Sequence, residues 1–195
     1  MAAVLTAALM HALWNSLVKS AGDKFMTSAR VCLWCGAIAL VTAAATPWPS
    51  LSAWPFIVAS AIIHVVYFVL VGRLYRTADL SVAYPLMRGF APLIATAIAA
   101  ATLGEVPHPV ALAGVLALVA GVVAMGASGL ANGRIDRATV GIALINAAII
   151  AVYSVVDGQG ARLSGPTTAH AFAYNAWSDF ITAILYAPLL VLWRG

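Results

Sequence analysis

The sequence predicts an all-α fold, a polytopic bundle of about seven transmembrane helices. Two observations support this prediction. Only 8% of the 195 residues are Asp, Glu, Lys or Arg, and 64% are apolar. Most of the charges fall between apolar blocks roughly 17–22 residues long. A helix of that length spans the hydrocarbon core of a bilayer, which is about 30 Å thick.

The composition excludes a soluble domain and a nucleic-acid-binding module. A soluble domain of this size would be about half apolar and a quarter charged. The net charge of +4 comes from Lys and Arg near the block ends. That distribution suits anionic lipid headgroups, and no basic stripe is interleaved with aromatic residues. We therefore expect the lipid bilayer to be the surroundings of this chain and nucleic acid not to be a partner.

Cys32 and Cys35 are the only cysteines, and they have C-x-x-C spacing. This spacing occurs in redox and zinc sites, but inside an apolar helix and without a second pair it indicates two small packing residues. The Gly158-Gln-Gly160 run is not a dinucleotide fingerprint, because Leu163 stands where the third glycine would be. No metal site and no cofactor are predicted.

The seven predicted spans follow from the apolar blocks and from the residues that end them. Lys19 ends the first span, the cluster Pro47-Trp48-Pro49 ends the second, and Gly104 with Glu105 ends the fourth. The most polar connector, residues 132–137, is the best internal boundary. The predicted spans are residues 2–18, 28 or 30 to 46, 54–72, 82–103, 109–127, 138–156 and 169–193.

Positive charge favours one orientation in the membrane. The second and fourth connectors contain no Lys or Arg, whereas the odd-numbered connectors are flanked by several. By the positive-inside rule the odd-numbered connectors are cytoplasmic and the N-terminus faces outwards. The flanking residues are Lys19, Lys24, Arg30, Arg73, Arg76, Arg134 and Arg137.

The fifth span is dense in small residues at three- and four-residue spacing. Such spacing lets helix backbones approach closely in lipid. The pattern predicts a packing face rather than a ligand site. The residues are Ala113, Gly114, Ala117, Ala120, Gly121 and Ala124.

Polar residues in the first and third spans share helix faces. His11, Asn15 and Lys19 recur every four residues, so they lie on one face. Such a face either forms interhelical hydrogen bonds or lines a water-filled cavity, and both interpretations stay open. His64 and Tyr67 are three residues apart on one face of the third span. A lone histidine in a helix is more often a packing residue, and a functional role is the alternative.

The fourth span places an arginine between two prolines. Pro85, Arg88, Gly89 and Pro92 lie within one stretch. Proline removes a backbone donor, and freed backbone groups in a membrane are tolerated only against protein or a wet cavity. A broken helix with a polar residue at the break is typical of transporter substrate sites. The pattern therefore favours function, and an interfacial arginine that reaches the headgroups is the alternative.

The last two spans carry six further polar residues. Asn175 and Asp179 are four apart on one face, and Asp179 lies deep in its span. A buried carboxylate tends to protonate, so Asp179 is a candidate for proton coupling or for pairing with a cation. Asp157 is expected to cap a span end, because Gly158 and Gly160 follow it. The six residues are Asn146, Tyr153, Asp157, Tyr174, Asn175 and Asp179.

Several short motifs resemble those of EamA-like members of the drug/metabolite transporter superfamily. The first segment, Leu-Met-His-Ala-Leu-Trp-Asn-Ser-Leu-Val-Lys at residues 9–19, resembles their first helix. Residues 75–105, with Asp-Leu-Ser-Val-Ala-Tyr-Pro at 79–85 and Leu-Gly-Glu at 103–105, resemble their third-to-fourth helix region. The glycines of the fifth span agree. The resemblance covers most of residues 1–128 and recurs more weakly from about residue 138, where residues 151–154 echo residues 12–15.

The resemblance implies ten helices in two inverted five-helix repeats around a substrate cavity lined by His11, Trp14, Asn15, Tyr84 and Arg88. Residues 1–130 would form the first repeat, and residues 138–195 would form two helices of the second. Three helices would then be missing, so a truncated chain is expected. The family has a cytoplasmic N-terminus, unlike the orientation that the charges favour. With the polar residues above, the candidate cavity residues are His11, Trp14, Asn15, His64, Tyr67, Tyr84, Arg88, Tyr153, Asn175 and Asp179.

The function predicted from these features is transport of a small metabolite or drug-like solute by alternating access, in a bacterial inner membrane. Arg88 would bind an anionic group, and Asp179 or a histidine would carry a coupling proton. The protein is not expected to be an enzyme, although an intramembrane protease using Ser128 and His170, or Asp157 and Asp179, is a weak alternative. A second alternative is a non-transporting scaffold subunit. A homodimer is left open, and the cargo is not predicted.

Overall fold

The computed structural model describes residues 24–77 and 80–192, together with Leu5, Thr6, Leu9 and Leu13. Six α-helices and one short 3-10 turn, Leu51–Ala53, make up the regular structure of residues 24–192, which contain no strand where they are described. The all-α prediction is confirmed. The helices are α1 (Lys24–Ala45), α2 (Trp54–Thr77), α3 (Leu80–Leu103), α4 (Pro109–Ala131), α5 (Arg137–Leu163) and α6 (Thr168–Leu192).

Four helical segments are long and apolar enough to cross a membrane: Leu51–Leu74, Ser81–Leu103, Pro109–Ala131 and Arg137–Leu163. They indicate an integral membrane protein. The predicted count of seven spans is matched only in part. The first predicted span lies outside the described residues apart from four positions, the apolar part of α1 is the shorter segment Ala29–Ala45, and α6 is interrupted by polar side chains.

Several helices extend beyond the predicted spans. α2 ends at Thr77 rather than at Gly72, and α5 ends at Leu163 rather than at residue 156. Backbone hydrogen bonding continues past the apolar stretch, because a helix satisfies its own polar groups whatever its side chains are. Asp157 therefore lies inside α5 and does not cap it, contrary to our expectation. The residue that caps α5 is Asp136, whose Oδ1 accepts a hydrogen bond of 2.7 Å from the Thr139 backbone N–H.

The proline-rich helix α3 is continuous through Pro85 and Pro92. The predicted break at Arg88 is thus wrong. Pro85 lies in the second turn of α3, so its missing N–H removes only the bond to the carbonyl of Ser81 near the helix start. Pro92 leaves the Arg88 carbonyl without its usual donor four residues on. Two single missing hydrogen bonds do not end this helix.

The helices form a row in the order α4, α3, α5, α2, α6, α1, with the most extensive contacts between α3 and α5 and between α1 and α6. The two helices that follow the polar connector therefore pack between helices that precede it. The main core cluster includes Leu74 of α2, Leu86 and Met87 of α3, and Ala147 of α5. This interleaving places α2, α3, α5 and α6 around the middle of the bundle.

Short connectors make successive helices antiparallel and define two ends. At one end, the Ser50 backbone N–H donates to the Ser164 carbonyl at 3.0 Å, and Arg162 pairs with Glu105. We call this the α1–α2 end, and the opposite one the α2–α3 end. The exposed residues Arg73, Arg134 and Arg137 lie at the α2–α3 end.

Glycines set the close packing of α3 against α4. A Cβ on Gly89 would overlap Val122, and one on Gly129 would overlap Val82. In contrast, Gly114 and Gly121 have nothing within 4 Å of a Cβ position. All six predicted packing residues, from Ala113 to Ala124, are exposed. The packing face of α4 is therefore the one that carries Val122, Gly126 and Gly129.

Candidate functional site

A cluster of polar and aromatic side chains lies between α2, α3 and α5. We call Arg88, Tyr153, His64 and Tyr67 the central cluster. Arg88 Nη1 donates to the Tyr153 hydroxyl at 3.5 Å. The Tyr153 ring lies against His64 with centroids 4.1 Å apart and an interplanar angle of 31°. Tyr67 meets Tyr153 edge-on at 5.8 Å. Three separate helices thus bring these predicted residues together.

The central cluster lies near the middle of the helices. At 1.5 Å per residue, His64 is about 15 Å from the start of α2, and Tyr153 is about 15 Å from the end of α5, at the same end of the bundle. The backbone of Arg88 is about 12 Å from the start of α3, which lies at the α2–α3 end. Its long side chain reaches the Tyr153 hydroxyl. A polar group at this depth is costly in lipid, so it is rarely kept without a partner or a use.

The His64 ring is oriented by Ser60 one turn earlier. Nδ1 lies 3.0 Å from the Ser60 carbonyl and 3.1 Å from its hydroxyl. Because a carbonyl only accepts, Nδ1 carries the proton, and Nε2 is the basic nitrogen. The Ser60 hydroxyl in turn accepts a hydrogen bond of 3.0 Å from Ser178 of α6. These contacts fix the orientation of the His64 ring and leave Nε2 as the nitrogen that can accept a hydrogen bond.

Arg88 is exposed, although its guanidinium contacts Tyr153. Tyr67, Tyr84 and Tyr153 all lie within electrostatic reach of it. Among residues 24–77 and 80–192, Tyr153 is its hydrogen-bond partner and no carboxylate pairs with it. With no described carboxylate paired to it, this guanidinium can bind a carboxylate or phosphate from outside.

Asp179 and Asn175 line a separate groove between α1 and α6. The groove has a volume of about 270 Å³, and Cys35, Thr42 and Phe172 also line it. Asn175 donates to the Ala171 carbonyl of its own helix at 2.9 Å. Asp179 lies within electrostatic reach of His64, so this groove borders the central cluster. The predicted pair on α6 therefore shares a face, as expected, but lies on the α1 side of the site.

Asp157 and Tyr174 form a contact that the sequence analysis did not anticipate. The buried Tyr174 hydroxyl donates to Asp157 Oδ1 at 2.9 Å. Gly160, one turn from Asp157, makes room for the ring, because a Cβ there would overlap three atoms of Tyr174. The available signal was the placement of Tyr153, Asp157 and Gly160 along one face of α5. This contact joins α5 to α6 beside the central cluster.

The remaining predicted residues have different outcomes. Tyr84 is half-buried and packs against the core cluster beside Arg88. His11, Trp14 and Asn15 lie outside the described residues. Asn146, noted as polar but not assigned to the cavity, is fully buried. Its amide donates to Met87 Sδ, and its Oδ1 has no hydrogen-bond partner in the described part of the chain.

The structure also places Ser128 and His170, the residues of the alternative protease site. Ser128 lies inside α4, three residues from the α2–α3 end, and accepts a hydrogen bond of 3.2 Å from Asn132. His170 lies at the α1–α2 end, where Thr167 is its neighbour. The two are separated by most of the length of α4, which is about 35 Å for 23 residues. Within the described ranges, no three His, Cys, Asp or Glu side chains are grouped to hold a metal ion.

Comparisons with protein families, with curated proteins and with solved structures find no match to this chain.

Proposed function

We propose that this chain is part of a membrane transporter for a small solute that carries an anionic group. The observation that supports the proposal is Arg88, a guanidinium at mid-membrane depth with Tyr153 as its hydrogen-bond partner and no carboxylate paired with it within the described ranges. A protein that needed Arg88 only for packing would gain by neutralising it. A solute carboxylate or phosphate supplies the missing charge.

In the proposed cycle, the solute anion binds Arg88, and the rings of Tyr67 and Tyr153 contact its apolar part. His64 takes a proton at Nε2, and Asp179 stabilises the resulting imidazolium from the groove side. Protonation changes the charge around the solute and so couples its release to the proton gradient. Alternating access then follows from the movement of one group of helices against the other.

The finer assignments belong to the same proposal. The chain would be an EamA-like protein of the drug/metabolite transporter superfamily in a bacterial inner membrane, with two inverted repeats in a ten-helix whole. His11, Trp14 and Asn15 would complete the cavity beside Tyr84. Side chains from α2, α3 and α5 meet in the central cluster, and this meeting supports the proposal without a break in α3.

A non-transporting scaffold subunit is the second candidate. The observation that favours it is the broad exposure of large apolar side chains, among them Trp34 at 71% and Val41 at 70%. These side chains suit lipid and partner helices equally well. The meeting of Arg88, His64, Tyr67 and Tyr153 favours transport over a scaffold, because packing against partners does not need polar groups at that depth.

Ligand binding by the purified chain tests the proposal. A panel of small carboxylates and phosphates is added to the protein in detergent, and thermal unfolding is followed for the native chain, for Arg88→Gln and for Arg30→Gln. A solute present at 100 times its Kd stabilises the native state by about 2.7 kcal/mol. We expect at least one anion to stabilise the native chain and the Arg30→Gln control, but not Arg88→Gln. The proposal is wrong if every stabilising anion acts equally on Arg88→Gln, or if none stabilises the native chain.

A further inference from the structure

An apolar crevice opens on the outer surface of α3, α4 and α5. Its volume is about 230 Å³. The crevice is lined by Leu86, Phe90, Val123, Gly126, Ala127, Leu130, Val140 and Leu144. All eight residues are apolar, and none of them lines the groove that contains Asp179. In an integral membrane protein this surface faces hydrocarbon, so an acyl chain is the molecule available to fill it.

The crevice runs towards the α2–α3 end. Val123, Ala127 and Leu130 recur along one face of α4, so their part of the crevice is about 10 Å long. Leu130 is the last but one residue of α4, and Val140 lies in the first turn of α5. One end of the crevice is therefore at the level where the two helices connect, which is the depth of lipid headgroups.

Basic residues lie at that end of the crevice. Arg137, Val140 and Leu144 share one face of α5, because they are three and four residues apart. Arg137 is exposed, as is Arg134 in the connector. Asp136, between them, is engaged as the cap of α5 through its bond to the Thr139 N–H. The exposed Arg137 thus places a guanidinium at the mouth of an apolar channel.

We propose that this crevice and the connector bind an anionic phospholipid of the membrane leaflet at the α2–α3 end. One acyl chain lies in the crevice, and the headgroup phosphate contacts Arg137. Charge complementarity selects an anionic lipid over a zwitterionic one, and the crevice provides a fixed place for its chain. This lipid site is separate from the central cluster and does not depend on the transport proposal.

Native mass spectrometry of the detergent-solubilised chain tests the site. Phosphatidylglycerol and phosphatidylcholine with identical acyl chains are titrated separately, and the bound fraction is measured. We expect the native chain to prefer phosphatidylglycerol. Arg137→Gln should lower that preference by about fivefold. Ala127→Trp should fill the crevice and lower the binding of both lipids, whereas Ala124→Trp, on the same helix outside the crevice, should not.

Two results would overturn the proposal. One is equal lipid binding by Ala127→Trp and Ala124→Trp, because an occupied crevice cannot tolerate the added indole. The other is an unchanged preference in Arg137→Gln, because the headgroup would then bind elsewhere. Arg137 is exposed, so Arg137→Gln should fold, and it decides the question even if Ala127→Trp does not yield folded protein.

Discussion

Gly160→Ala is expected to destabilise the protein because Tyr174 occupies the space that a side chain would need. A Cβ at residue 160 would lie within 3 Å of three atoms of the Tyr174 ring. The ring is fully buried and packs with Ala53 and Ile57, so it cannot move without disturbing them. Its displacement would also break the hydrogen bond to Asp157.

The magnitude follows from these terms. Overpacking costs about 1–3 kcal/mol, and a broken hydrogen bond with a buried donor costs about 1–3 kcal/mol. Alanine offsets about 1 kcal/mol of this, because glycine is the poorer helix former. The net loss is about 3 kcal/mol at the centre of this range. For a chain of this size, a loss of that size lowers Tm by about 9 °C.

Thermal unfolding in detergent, followed by tryptophan fluorescence, measures this effect. Gly158→Ala is the matched control, because nothing lies within 4 Å of a Cβ at that position. The control should keep or slightly raise Tm. Tyr174→Ala should remove most of the additional loss caused by Gly160→Ala, since the clash is then absent. Equal Tm values for Gly160→Ala and Gly158→Ala would refute the reasoning.

Two further predictions concern packing and pH. Gly89→Ala should lower stability by about 1–3 kcal/mol, because its Cβ would meet the stiff β-branched Val122, whereas Gly121→Ala should not; Tm of both variants decides this. The Thr139 N–H bond holds the pKa of Asp136 below its usual value. The stabilising effect of this hydrogen bond is therefore fully present above the ordinary aspartate pKa of about 3.9. It is lost as the pH falls through the lower pKa that Asp136 has in the folded protein. Asp136→Asn should flatten that part of the Tm–pH curve, and an unchanged acid slope would contradict the assignment.

Part of the site could be predicted from residues alone. Arg88, His64 and Tyr67 were identified because each is costly at its depth in an apolar span. The structure adds that Tyr153 lies between Arg88 and His64. It also shows that Asn175 and Asp179 line a groove between α1 and α6. These contacts between helices depend on the order of the helices in the bundle. The sequence of a single span does not determine that order.

The small residues of α4 show why packing was harder to predict. Gly114 and Gly121 have the spacing of a helix contact, yet α3 packs against Gly126 and Gly129. In a soluble protein the apolar face of a helix marks its buried side. In lipid both faces are apolar, so hydrophobic periodicity does not distinguish the side that meets protein.

The sequence by itself determined that the chain is helical and where most of its helices lie, since backbone groups in lipid must hydrogen-bond within their own segment. The tertiary structure alone decided that α5 and α6 pack between the earlier helices, and that Asp157 meets Tyr174 instead of ending a helix. Helix formation is a local requirement of the bilayer. The choice of neighbours depends on close fit between whole helix surfaces, and that fit exists only once the helices are assembled.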